Sequence, residues 1–190
     1  MRNLKKILIV ICVLALLTIG CVVMALADDG EETANVGTVA ELSELITAAE
    51  SSTDVASKRE EILGIYEYLN TKVMDENEEG YDDCILRINA VCVEAAEVYL
   101  YSIPADVEAD GVNVEEIVDN FMYADELLRM FDIPNGTAGF SAVKVKYDTE
   151  LVKVASALVK DIGTEIANQE NPKTATNKIK LNKAARIMAY

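Results

Sequence analysis

The stretch DDCILRINAVCVEAAEVYLYSI, residues 82–103, decides the fold. Ile85, Ile88, Val91, Cys92, Ala95, Val98 and Tyr99 recur at spacings of three and four, the period of an α-helix. The apolar positions cover more than one side. A helix apolar on several sides is surrounded by others, so this segment is expected at the centre of an all-α domain. Pro104 ends it, because proline cannot continue the backbone ladder.

The same period extends in both directions. Upstream, a first helix is predicted from about Thr38 to Glu50, with Val39, Leu42, Leu45 and Ile46 on one face. Ser51-Ser52-Thr53-Asp54 supplies N-cap candidates. A second helix follows from about Asp54 to Met74, with Val55, Ile62, Ile65, Leu69 and Val73 as its stripe. Downstream, a fourth helix begins at Asn113, where Glu116 three residues on resembles a capping box. Its stripe is Ile117, Phe121, Ala124, Leu128 and Phe131, and Ile133-Pro134-Asn135-Gly136 stops it. A long fifth helix carries Phe140, Val143, Tyr147, Leu151, Val154, Leu158, Ile162 and Ile166. A basic segment from Thr174 to Tyr190 is a sixth candidate. The expected fold is therefore an antiparallel bundle of five or six helices behind an N-terminal signal segment. Two helix ends match, Tyr101-Ser102-Ile103-Pro104 and Phe131-Asp132-Ile133-Pro134; two copies reflect shared stop chemistry rather than a solenoid.

The N-terminus is different in kind. Arg2, Lys5 and Lys6 precede an apolar run from Ile7 to Ala27, which exits through Ala25-Leu26-Ala27 into Asp28-Asp29-Gly30-Glu31-Glu32. A basic start, an apolar middle and a small-x-small exit make a secretory signal peptide, residues 1–27. Two alternatives stay open. The run of 21 positions is close to the roughly 20 residues that span a bilayer, so 7–27 would serve as an uncleaved anchor. Thr18-Ile19-Gly20-Cys21 resembles a bacterial lipobox, which would lipidate Cys21, although Thr18 stands where that pattern prefers Leu. Residues 28–37 read as a flexible acidic tether, 38–170 as the helical domain and 171–190 as a basic C-terminal segment. A chain ending on Ala189-Tyr190, with no polar tail, suits a fragment of a longer protein. The expected location is secreted or at the cell surface.

Charge and composition narrow the function. The chain of 190 residues carries a formal charge of −16. Residues 28–140 hold 28 acids against 5 basic residues, while 141–190 hold 5 acids against 9. Such an acidic body repels nucleic acid and anionic lipid. There is no His, which removes Ser-His-Asp and Cys-His catalysis and the usual imidazole metal sites. Cys84 and Cys92, on one helix, would lie about 12 Å apart along its axis. A disulfide needs Cα atoms within about 7 Å, so both are read as small buried apolar residues.

Two acidic connections carry the remaining chemistry. Asp75-Glu76-Asn77-Glu78-Glu79-Gly80 and Asp106-Val107-Glu108-Ala109-Asp110-Gly111 place oxygen side chains at positions 1, 3 and 5 and glycine at 6. This resembles paired EF-hand or dockerin loops over about residues 75–117. The resemblance implies calcium on Asp75, Asn77 and Glu79, and on Asp106, Glu108, Asp110 and Glu116. Both loops depart from the pattern at position 12, where Leu86 and Ile117 stand instead of a bidentate acid. The competing reading is two solvated turns. Carboxylate pairs such as Glu60-Glu61 and Glu115-Glu116 read as solvated helix faces. The Tyr66/Tyr68 and Tyr99/Tyr101 pairs each place one ring inward and one outward, and an outward ring could stack on a glycan or peptide. The functional expectation is an exported, non-enzymatic helical module that binds a protein or cell-wall partner, or spaces domains, at a bacterial cell surface. The alternative is a calcium-binding assembly module.

Overall fold

A computed structural model describes residues 35–107, 109 and 111–168, together with 182 and 185. Five α-helices and no strand occur among the described residues: α1 Val39–Ser51, α2 Val55–Thr71, α3 Tyr81–Ser102, α4 Val114–Met130 and α5 Phe140–Asn168. The expected signal peptide 1–27, with Cys21 and the anchor run 7–27, lies outside the described residues. So do nearly all of the basic segment 171–190 and two of the residues expected at calcium, Glu108 and Asp110. Among the described residues no helix is long and apolar enough to cross a membrane.

Four of the helix starts have a local cause. Thr38 caps α1 in a full capping box with Glu41. Asp54 caps α2, accepting from the Ser57 backbone N–H at 2.8 Å. That bond, and another from the Ser57 side chain, hold its carboxyl below the usual range. Asn113 caps α4 through the Glu116 N–H. At the start of α3 the cap is Gly80, with φ of 93°, a left-handed geometry that glycine adopts without steric cost. The matching stops after α3 and α4 also share a physical reason. Ile103 and Ile133 both turn back into the core and are buried.

The third helix occupies the position its sequence suggests. It packs against α1, α2, α4 and α5, whereas α1 otherwise meets α2, and α4 meets α5. Ile88, Cys92, Ala95, Ala96 and Leu100 are almost wholly buried along it. Burying one such large aliphatic side chain stabilises the fold by roughly 1.5–3 kcal/mol. Both cysteines are free and buried, and burial pushes the Cys92 thiol up to about 12.

The structure departs from expectation between α1 and α3. The second helix ends at Thr71, not Met74, and Val73 is exposed rather than part of its apolar stripe. Val73 instead forms an isolated parallel bridge with Val36. Its N–H donates to the Asn35 carbonyl, and the Gly37 N–H donates to its carbonyl, both at 3.0 Å. Of the stretch 28–37 expected as a flexible tether, Asn35, Val36 and Gly37 are thus pinned. A Cβ at Gly37 would sit 2.6 Å from the Tyr68 hydroxyl and 2.9 Å from Lys72 Cβ, so the close approach requires glycine there.

Candidate functional site

The loops expected to bind calcium do not face one another. Residues 72–80 precede α3 and residues 103–113 follow it. A helix of 22 residues separates their ends by about 33 Å. Within the first loop the structure brings Asp75 and Asn77 together, but as a turn. Asp75 Oδ1 accepts from the Asn77 backbone N–H at 2.9 Å and from its side-chain amide at 3.3 Å. The neighbouring Glu78, not singled out from sequence, accepts from the Val39 N–H at 3.3 Å and ties the loop to the start of α1. Glu79 is exposed. In the second connection Asp106 is exposed, and Glu116 sits in the first turn of α4. Ala109 and Gly111 share a pocket with both Lys160 and Asp161 of α5. Among the described residues, no group of three or more His, Cys, Asp or Glu side chains is placed to hold a metal ion.

Chemically mixed side chains converge elsewhere. Helices α2 and α4 both lean on α3, and an open cleft of about 450 Å³ lies between them. Arg59 and Tyr66 come from α2; Met122, Tyr123, Asp125, Glu126, Arg129 and Met130 come from α4. The spacing explains the arrangement: 59 and 66 are two turns apart, and 122, 126, 129 and 130 share one side of α4.

Each arginine is held by a carboxylate. Arg59 donates from Nε to Glu126 Oε2 at 2.9 Å, and its Nη2 reaches the same oxygen. The Arg59 guanidinium also lies 4.3 Å from the Tyr123 ring centroid, a cation–π stack. The other neighbour of Tyr123 is Tyr99, with ring centroids 5.3 Å apart. Arg129 donates from Nε to Asp125 Oδ1 at 2.5 Å, and from Nη2 to the Tyr147 oxygen at 3.4 Å. Burial opposes the charge on Arg129, but the bonds to Asp125 and Tyr147 hold its pKa above the ordinary value. The cleft is therefore neutral in sum, with two guanidiniums balanced by two carboxylates. Tyr66 is 42% exposed, and its ring meets Phe131 edge-on at 5.7 Å.

Behind the cleft runs a polar seam between α4 and α5. Asp125 is buried and also accepts from the Tyr147 hydroxyl at 2.7 Å. Tyr147 stacks on Phe121, centroids 4.9 Å apart. Burial, and then Asp125, push the Tyr147 hydroxyl up to about 12. Further along α5, the fully buried Glu150 accepts from Lys146 at 2.8 Å and Lys153 at 3.0 Å through one oxygen. Among the described residues its other oxygen has no hydrogen-bond partner.

Sequence reasoning named Tyr66 as one of a pair and missed the rest of this cleft. A signal was present. Only five basic residues stand among 28 acids in residues 28–140, and two of them, Arg59 and Arg129, meet here. The tyrosine pairs behave as read: Tyr66 and Tyr101 are exposed, Tyr68 is half-buried and Tyr99 is buried. The chain matches no protein-family model, no curated protein and no solved structure.

Proposed function

We propose that the chain is an exported, non-enzymatic helical module, an antiparallel bundle behind an N-terminal signal segment, that binds a protein partner at a bacterial cell surface. The observation that carries this reading is the cleft between α2 and α4. Arginine, tyrosine and methionine are the side chains enriched at protein interfaces, and they supply six of the eight that line it. The non-enzymatic part rests on the sequence and on the thiols. No His is present to act as a base, and burial keeps the Cys84 and Cys92 thiols protonated. The export part rests on the leader.

Fractionation of cells expressing the full chain, with a tag after Tyr190, tests location; recovery in the cytoplasm alone would overturn export. A turnover screen with glycan, peptide and ester substrates tests the rest, and catalysis by the purified chain would sink the non-enzymatic reading. The alternative, a calcium-binding EF-hand-like or dockerin-like assembly module, draws no support from loops about 33 Å apart along a helix. Calorimetric titration checks it directly, because a useful extracellular site binds at or below about millimolar calcium.

A further inference from the structure

We infer that the α2–α4 cleft accepts an apolar anchor side chain carried on a cationic segment of a separate protein. This rests on the partner-binding reading and adds the chemistry of the partner.

Long-range charge selects the sign. Residues 28–140 carry a net −23, which attracts a cationic segment and repels an anionic one over a Debye length of about 8 Å at physiological salt. The cleft itself does not reverse this preference. Its arginines are each balanced by a carboxylate, Glu126 on Arg59 and Asp125 on Arg129, so no net positive charge waits there for an anion. Glu60 and Glu67, next in sequence to the lining residues Arg59 and Tyr66, are exposed on α2. The Glu126 side chain is 41% exposed. These exposed carboxylates add to the acidic field that lysine or arginine flanking an anchor would meet.

Short-range contacts select the anchor. Tyr66 presents a ring whose orientation is held by Phe131. Met122 and Met130 are half-buried at the same cleft, and unbranched thioethers repack around side chains of different shape. Tyr123 offers less, because Arg59 and Tyr99 already pack against it. The anchor is therefore expected against Tyr66, Met122 and Met130, with its cationic flank in the acidic field of the surrounding chain.

The test uses the mature chain with ¹³C-methyl methionine and two probes: a synthetic amphipathic Lys/Leu peptide with one Phe, and its Glu-for-Lys counterpart. The inference expects the cationic peptide to shift the Met122 and Met130 methyl signals, with affinity falling at least tenfold between 50 and 500 mM salt, an order-of-magnitude expectation for several screened ion pairs. Tyr66→Ala should weaken binding about tenfold, the loss of one interface anchor. Tyr101→Ala, at an exposed ring outside the cleft, should leave it unchanged. Equal loss from both variants would overturn the assignment to the cleft. Preferential binding of the Glu-for-Lys peptide at the same methyls would overturn the cationic partner while leaving a binding cleft. Silence from both peptides at millimolar concentration would overturn the cleft as a docking site. A chain ended after Asn168 that binds the cationic peptide more than tenfold tighter would show that the protein's own basic segment occupies the cleft, and would overturn the separate partner.

Discussion

Helix α3 and the α4–α5 seam are both buried, yet different chemistry buries them. Along α3 most inward groups are aliphatic or thiol, among them Ile88, Val91, Cys92, Ala95, Ala96 and Leu100, with Asn89 and Tyr99 the buried exceptions. At the seam, Asp125, Tyr147 and Glu150 take equally buried positions and need Arg129, Lys146 and Lys153 to satisfy them. Aliphatic burial is non-directional and tolerates small errors of angle. A buried carboxylate needs donors at set distances, and one left unmade is costly. The difference teaches where this molecule is stabilised and where it is specified. The α3 side supplies area. The seam holds Arg129 beside the cleft and so couples packing to the candidate site.

The comparison breaks most visibly at α3. Leu100→Ala, at a fully buried position, should cost about 3 kcal/mol, within the range for leucine truncation in a core. Urea denaturation followed by circular dichroism checks it. A cost under about 1 kcal/mol would mean that α3 is not the principal source of stability.

Asp125→Ala should cost about 2 kcal/mol, because it leaves the Tyr147 hydroxyl and the Arg129 guanidinium without their shared acceptor. The same variant should loosen Arg129 and weaken whatever the cleft binds, whereas Leu100→Ala should leave affinity unchanged once folded protein is compared. Tyr147→Phe keeps the stack on Phe121 and removes one hydrogen bond, so about 1 kcal/mol is expected. If Tyr147→Phe equalled or exceeded Asp125→Ala, the seam would be held chiefly by the Tyr147 hydroxyl and not by the carboxylate.

Glu150 sharpens the contrast from the other direction. One of its oxygens is buried without a hydrogen-bond partner among the described residues, and replacing a buried charge by a well-packed apolar group is often neutral or stabilising. Glu150→Met should therefore change stability by less than about 1 kcal/mol, or raise it. A loss above about 3 kcal/mol would show that the Lys146–Glu150–Lys153 cluster is a net stabiliser.

Alkaline pH probes both regions with an effect that is absent at neutrality. The folded-state values of Cys92 and Tyr147 lie near 12, against ordinary values of 9.0 and 10.0. Their contributions are complete below those ordinary values and are lost as pH rises toward 12, since unfolding then releases protons. Urea midpoints at pH 7 and pH 10.5 should differ for the wild-type chain and differ less for Cys92→Ala. Parallel pH profiles for the two proteins would mean that the Cys92 thiol is not shielded as its burial implies.

Much of the helical architecture was legible in the residues. The cap candidates Asp54 and Asn113, the stop at Pro104 and the spacing of apolar positions locate the helices within a few residues. These signals are local, and a local interaction is written in neighbouring positions. The early end of α2 was not legible, because Val73 leaves the helix to pair with Val36, 37 residues away. Nor were the buried acids. Asp125 shares its helix with the exposed Glu115 and Glu116, and Glu150 shares its helix with the exposed Asp148; the lysines at three and four residues from Glu150, and Arg129 four from Asp125, were the local signals for their inward turn.

The sequence by itself determined the all-helical class, the central place of residues 82–103, the acidic charge of the body and the apolar role of the cysteines. Each follows from periodicity or composition, which survive any arrangement of the helices. Only the tertiary structure decided that Arg59 and Arg129 meet at one cleft. It also decided that Asp125 and Glu150 turn inward. Those outcomes depend on the rotation and crossing of whole helices, and a rotation of one residue, about 100°, moves a carboxylate from solvent to the core.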